Sequence, residues 1–111
     1  MAIRFPLVTP LGFQILTDRL NPVLKTLHYR ERHVIKMLYG MESFDDDGFT
    51  HEQAGEVYEL TATRIRQIES VVFRKMRTPK RLRMLADFFD TASRLKTPER
   101  FLRFISRIQG V

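Results

Sequence analysis

The sequence contains no cysteine. That excludes a disulfide framework and any thiolate zinc site, and it suits a reducing compartment. No apolar run approaches the roughly 18 residues that a membrane-spanning helix needs. Met1–Phe13 is apolar, but Pro6 and Pro10 break it, so it lacks the continuous core of a secretory leader. There is no internal repeat, no low-complexity segment and no sustained alternation of period two. His28, His33 and His51 have no acid or thiol at ligand spacing, so no metal is expected. No Ser-His-Asp set and no paired carboxylates stand out, so neither an enzyme nor a cofactor is expected. A cytoplasmic protein is the expectation.

What is present is helical spacing and positive charge. The chain has 111 residues, enough for one domain with a self-sufficient core. Hydrophobic residues make up 43%, which argues against disorder. The formal net charge is +6, and its distribution says more than its size. Between Met41 and Leu60 the acids Glu42, Asp45, Asp46, Asp47, Glu52, Glu56 and Glu59 occur with no Lys or Arg. Between Ala62 and Arg83 the bases Arg64, Arg66, Arg74, Lys75, Arg77, Lys80, Arg81 and Arg83 face a single acid, Glu69. Such segregation suggests one anion-facing element; a solvated basic face is the plainer alternative.

The expected fold is all-α. Leu16, Leu20, Leu24 and Leu27 form a first stripe, with a kink or a division into two short pieces at Pro22. A second helix runs from Tyr29 to about Tyr39, carrying Val34, Ile35 and Leu38 inward, and Gly40 ends it in the left-handed region. Met41–Phe49 reads as a solvated acidic loop, since its acids lack the alternation and terminal Glu of a calcium loop. Thr50 and Gln53 make a capping box for a short helix bearing Ala54, Val57 and Tyr58 inward. Thr61 caps a longer helix from Ala62 to about Arg77, with Ile65, Ile68, Val72 and Met76 buried. Thr78-Pro79 and Thr97-Pro98 each read as a cap followed by a helix. Leu82, Leu85, Ala86 and Phe89 face inward on the first of these. Phe101, Leu102, Phe104, Ile105 and Ile108 face inward on the second, with Arg100, Arg103 and Arg107 opposite.

The pair at 50–77 has the spacing of a helix-turn-helix. Gly55 lies where the two helices must approach, Leu60 plugs the turn, and Ile65 and Ile68 anchor the second helix. Ala62, Thr63, Arg66, Gln67, Ser70 and Arg74 are left on the outer side. An exposed second helix of this kind enters a major groove. Arg66 suits a bidentate contact to guanine and Gln67 to adenine. Thr61 and Arg64 sit where phosphate contacts would orient the helix, and Arg74, Lys75, Arg77, Lys80 and Arg81 extend the positive surface. A two-helix corner inside an unrelated all-α protein would show the same spacing.

At these residues the chain resembles region four of the bacterial sigma-70 family. The run Thr50–Pro79, THEQAGEVYELTATRIRQIESVVFRKMRTP, carries the likeness, and RIRQIE at Arg64–Glu69 is its most specific part. Arg30-Glu31-Arg32, Val34-Ile35, Met37 and Tyr39-Gly40 resemble the preceding sub-region, and Arg81, Leu85 and Phe88 the tail, so the likeness covers about 24–90. The resemblance implies a domain that reads the minus-thirty-five promoter element in double-stranded DNA and docks on the flap of the RNA polymerase β subunit. It puts Arg66 and Gln67 on bases, Thr61 and Arg64 on the backbone, and Arg74 and Lys75 on a surface that meets DNA or activators. Val34, Ile35, Leu38 and Tyr39 would help form the flap-binding cleft.

The departures are informative. Ala62-Thr63 stands where the family carries an Arg-Glu pair that touches bases, and Val71 replaces an exposed Lys. Loss of a bidentate Arg removes about 1–3 kcal/mol of base discrimination. The sigma-factor parts that melt DNA and bind the polymerase clamp have no counterpart here, so a complete sigma factor is not expected. Met1 and the added C-terminal helix favour a stand-alone protein over an excised piece. The expected organisation is an N-terminal extension at 1–23, a helix-turn-helix domain of three to four core helices at 24–90, and an amphipathic helix at 91–111. That last segment packs on its own domain, binds a regulator protein, or lies on a membrane; the first is expected and the last is not. Two functions compete: a DNA-binding transcription regulator, and a mimic of region four that docks on the polymerase flap or a sigma regulator with little sequence-specific DNA binding.

Overall fold

The computed structural model describes residues 9–110. Residues 1–8 of the expected N-terminal extension, and Val111, lie outside the described residues. Among the described residues there are six helices and no strand: α1 Pro10–Leu24, α2 Tyr29–Leu38, α3 His51–Tyr58, α4 Ala62–Met76, α5 Pro79–Arg94 and α6 Glu99–Gln109. None of them is long and apolar enough to cross a membrane.

Each helix starts where local chemistry lets it. Thr9 caps α1 by accepting from the Gly12 amide at 3.0 Å, and Pro10, which has no N–H to satisfy, takes the first helical position. α1 then runs unbroken through Pro22, so of the two expected alternatives, a kink or two short pieces, the division does not occur. Pro22 lies in the last turn, so it withholds only the N–H that Asp18 would have received. The closing bond of the helix, Lys25 to Asn21 at 2.9 Å, is made, and burial of Val23 and Leu24 holds the turn in place. His28 caps α2 through its ring, and Glu31 reaches back to the His28 amide. Gly40 adopts φ +60, and a Cβ there would lie 2.6 Å from the Asp46 carbonyl oxygen, so both conformation and space require glycine.

Two expected caps behave differently. Thr78 precedes α5 but turns its hydroxyl back to donate to the Lys75 carbonyl at 2.8 Å. Thr97 is buried and donates to Ala92 and Leu95, so Pro98 takes the N-cap position of α6. The inward faces also shift. Val57, Leu82 and Leu102 are exposed, and α5 buries Leu85, Phe88 and Ala92, with Phe89 half-buried and Ala86 outside.

α1 packs along α5, α2 lies on α3 and α4, and α6 crosses α4. The centre is aromatic. Phe104 of α6 meets Tyr39, Phe73 and Phe88 at ring distances of 5.5, 5.4 and 6.3 Å, and Phe101 meets Phe13 at 5.6 Å. One continuous cluster therefore runs from α1 to α6, and the boundary expected at residue 90 falls inside α5. Residues 99–109 pack on their own domain. Burying Phe101, Phe104 and Ile108 contributes on the order of 5 kcal/mol or more.

Candidate nucleic-acid interface

α3 and α4 form the helix-turn-helix. Thr50 accepts from the Gln53 amide at 3.1 Å, and the Gln53 side chain accepts from the Thr50 amide at 2.8 Å. At its other end α3 stops on Glu59, whose φ of 57 is the one positive value among described non-glycine residues. The reversal brings the Leu60 amide onto the Gly55 carbonyl at 2.8 Å. Gly55 is what permits this. A Cβ there would stand 2.4 Å from the Leu60 carbonyl oxygen, well inside contact distance. Leu60 is half-buried against the core. Thr61 then caps α4, accepting from the Arg64 amide at 3.0 Å.

α4 divides cleanly into two faces. Ile65, Ile68, Val72, Phe73 and Met76 are buried. Thr61, Thr63, Arg64, Arg66, Gln67, Ser70 and Arg74 are exposed and Ala62 is half-exposed, all in the places the spacing predicted. A shallow groove is lined by Thr63, Arg64, Arg66, Gln67, Ser70, Val71 and Arg74. The restraints on this face are weak. Arg64 donates to the Gln67 side chain at 3.2 Å, and Arg66 stands 3.8 Å from Glu52, both in solvent. An exposed pair of that kind is worth about 0.2–1 kcal/mol, so it yields readily to a stronger anion.

The positive surface is narrower than its sequence suggested. Lys75 is held by both carboxylate oxygens of Glu31 at 2.8 and 2.9 Å. Arg77 donates to the carbonyls of Arg107 and Ile108 at 2.6 and 3.3 Å, closing the end of α6 against the end of α4. Arg81 donates to the Thr26 hydroxyl and carbonyl. These three cations serve the fold first. Arg64, Arg66 and Arg74 remain as the cations of the α4 face.

The docking cleft expected from Val34, Ile35, Leu38 and Tyr39 is not a surface. All four are buried, at 0, 0, 7 and 6% exposure. Their helical stripe faces the core, and Tyr39 is covered by Phe73 and Phe104.

A polar cluster that sequence reasoning missed lies behind α4. Glu69 is 6% exposed. It accepts from the Tyr39 hydroxyl at 2.7 Å and from Arg107 at 3.3 Å, and it meets the His51 ring nitrogen at 2.9 Å. Burial, reinforced by the Glu69 carboxylate, pushes the Tyr39 hydroxyl far above its ordinary value. The Arg107 guanidinium also lies 4.5 Å from the Phe73 ring centre. Arg100 donates to the carbonyls of Gly40, Ser43 and Phe44, so the acidic loop is anchored rather than freely solvated. The arginines expected opposite the apolar face of α6 thus include two that tie it down. One signal was present: Glu69 sits four residues after Ile65 and four before Phe73, on the buried stripe.

Residues 23–78 match the family described as Sigma-70, region 4. An RNA polymerase sigma factor SigA from Bacillus sp is 40% identical over 81 residues, covering 71% of this chain and 20% of the relative. The chain therefore spans about a fifth of that relative's length.

Proposed function

We propose that this chain, which belongs to the sigma-70 region 4 family, is a transcription regulator that lays α4 in the major groove of promoter-like DNA and associates with RNA polymerase. The observation that carries this reading is the face of α4. Arg66 and Gln67, the side chains suited to guanine and adenine, are exposed together one turn beyond a capped, unobstructed helix start. Thr61, Arg64 and Arg74 flank them as phosphate contacts, and Ser70 continues the stripe. Lys75 and Arg77 add charge nearby but keep their internal partners.

The test is a gel shift of the full chain on duplex DNA across a salt series. Each phosphate contact contributes about −0.9 to the slope of log affinity against log salt. The two arginines assigned to phosphates, Arg64 and Arg74, predict a slope of about −2, shallower than the whole basic stretch would give. Salt-independent binding, or none, rejects the reading.

Association with polymerase belongs to the same proposal, with one revision. Docking on the β flap through Val34, Ile35, Leu38 and Tyr39 would require α6 to unpack from Tyr39. Retention by core polymerase without retention by the isolated flap is therefore the expected pull-down result. Strong retention by the isolated flap would return those four residues to the interface. A cytoplasmic, nucleoid-associated location is part of the proposal.

A further inference from the structure

The start of α4 carries no bidentate base reader. Its first side chains are Ala62, half-exposed, and Thr63, exposed: a methyl group and a hydroxyl with a methyl. Ala62 precedes Arg66 by four residues, and Thr63 precedes Gln67 by four, so each sits one turn below a polar reader on the same stripe. Thr63 shares the shallow groove with Arg66, Gln67, Ser70 and Arg74. The Thr61 side chain is occupied as the cap and accepts from the Arg64 amide, so it does not cover this tip. Among base edges in the major groove, only thymine presents a methyl, and Ala and the Thr methyl are the side chains suited to it.

We infer that Ala62 and Thr63 are specificity-determining residues that select thymine through its 5-methyl group, next to the purines read by Arg66 and Gln67. The inference rests on the proposed function above. The cations Arg64, Arg66 and Arg74 on the same face supply the charge complement of a duplex. One helical turn advances about 5.4 Å and one base step about 3.4 Å, so the thymine falls about one to two base steps from those purines. A methyl contact replaces bidentate hydrogen-bond readout here, so guanine or cytosine at that step is disfavoured mainly by lost contact rather than by an unpaired polar group.

The experiment separates this inference from the reading beneath it. Duplexes that bind the full chain are selected from a randomised pool at low salt. Each thymine of a selected duplex is then replaced in turn by deoxyuridine, which removes the methyl and leaves every hydrogen-bonding group in place. Deoxyuridine at one or two neighbouring positions is expected to weaken binding roughly fourfold per methyl. Thr63→Ser, which keeps the hydroxyl, and Ala62→Gly are each expected to abolish the thymine-to-uracil ratio at one of those positions. Equal binding of thymine and uracil duplexes everywhere overturns the inference while DNA binding stands. So does a ratio that both variants leave unchanged. Failure to bind any duplex overturns the proposed function and this inference with it.

Discussion

Replacing Glu69 tests how α4 is held from behind. The carboxylate is 8% exposed as a side chain, whereas its partners His51 and Arg107 are 31% and 44% exposed. Loss of one partner from a fully buried ion pair costs about 3–5 kcal/mol. Here Arg107 and His51 can recover water, so most of that penalty does not apply. The Tyr39 hydroxyl cannot, because Tyr39 is buried and donates to Glu69 alone among the described hydrogen bonds. A buried donor left unsatisfied costs about 1–3 kcal/mol. Adding the lost packing of the side chain, Glu69→Ala should destabilise the fold by about 2–4 kcal/mol. Glu69→Gln keeps an oxygen for Tyr39 and should cost about 1–2 kcal/mol. Urea unfolding followed by far-ultraviolet circular dichroism measures both, with an unchanged denaturant slope as the check on two-state behaviour. A double-mutant cycle with Arg107→Ala should return a coupling of about 1 kcal/mol. The reasoning fails if Glu69→Ala lies within about 0.5 kcal/mol of the parent, as an exposed Ser70→Ala control should.

Gly55→Ala should destabilise the protein by about 1–3 kcal/mol and weaken DNA binding beyond that loss, because a Cβ 2.4 Å from the Leu60 carbonyl must push α3 and α4 apart. Urea midpoints and gel shifts on the same variant check it, and binding that merely tracks the folded fraction would contradict the splaying. Tyr39 gives a pH prediction. Its hydroxyl titrates higher in the folded chain than the ordinary 10.0, because of burial and then Glu69. Above about pH 10 the unfolded chain therefore loses a proton that the folded chain keeps, and stability falls as pH rises. Below that value this contribution is flat, and Tyr39→Phe should lessen the alkaline fall in unfolding titrations. Arg74→Ala should make the salt slope of DNA binding shallower by about one unit, while Arg77→Ala should leave the slope and lower the thermal midpoint. The opposite assignment of those two effects would place Arg77, not Arg74, on the DNA.

What the sequence could disclose was whatever local spacing encodes. The Thr50–Gln53 box, the Thr61 cap, Gly55 at the crossing and the two faces of α4 all depend on residues within a turn or two of one another. Side chains with two plausible partners were harder. Lys75 and Arg77 follow the exposed face of α4 in order, yet Glu31 and the α6 carbonyls reach them from distant parts of the chain. Arg100 and Arg107 flank an apolar stripe, which leaves them free to turn either to solvent or to the loop and Glu69. Val34, Ile35, Leu38 and Tyr39 were misplaced for a related reason: an apolar stripe looks the same whether it awaits a partner or is already covered, here by α3 and α4 and, at Tyr39, by Phe104. Pro22 kept its helix because the turn that loses a bond buries Val23 and Leu24.

The meeting of Phe13 with Phe101 bears on how quickly the protein can be made. Small helical proteins fold fast when most contacts join neighbours in the chain, and long closures slow them. Here the aromatic centre closes only when a residue of α1 finds one of α6, and Phe104 completes the ring around Tyr39 and Phe73. A nascent chain that has emerged only through α5 presents Phe73 and Phe88 without their cover. During that interval the basic helix hangs on an unfinished core with exposed aromatic surface, a state prone to association. Completion of the core behind α4 should therefore wait for α6, even though α3 and α4 are released earlier.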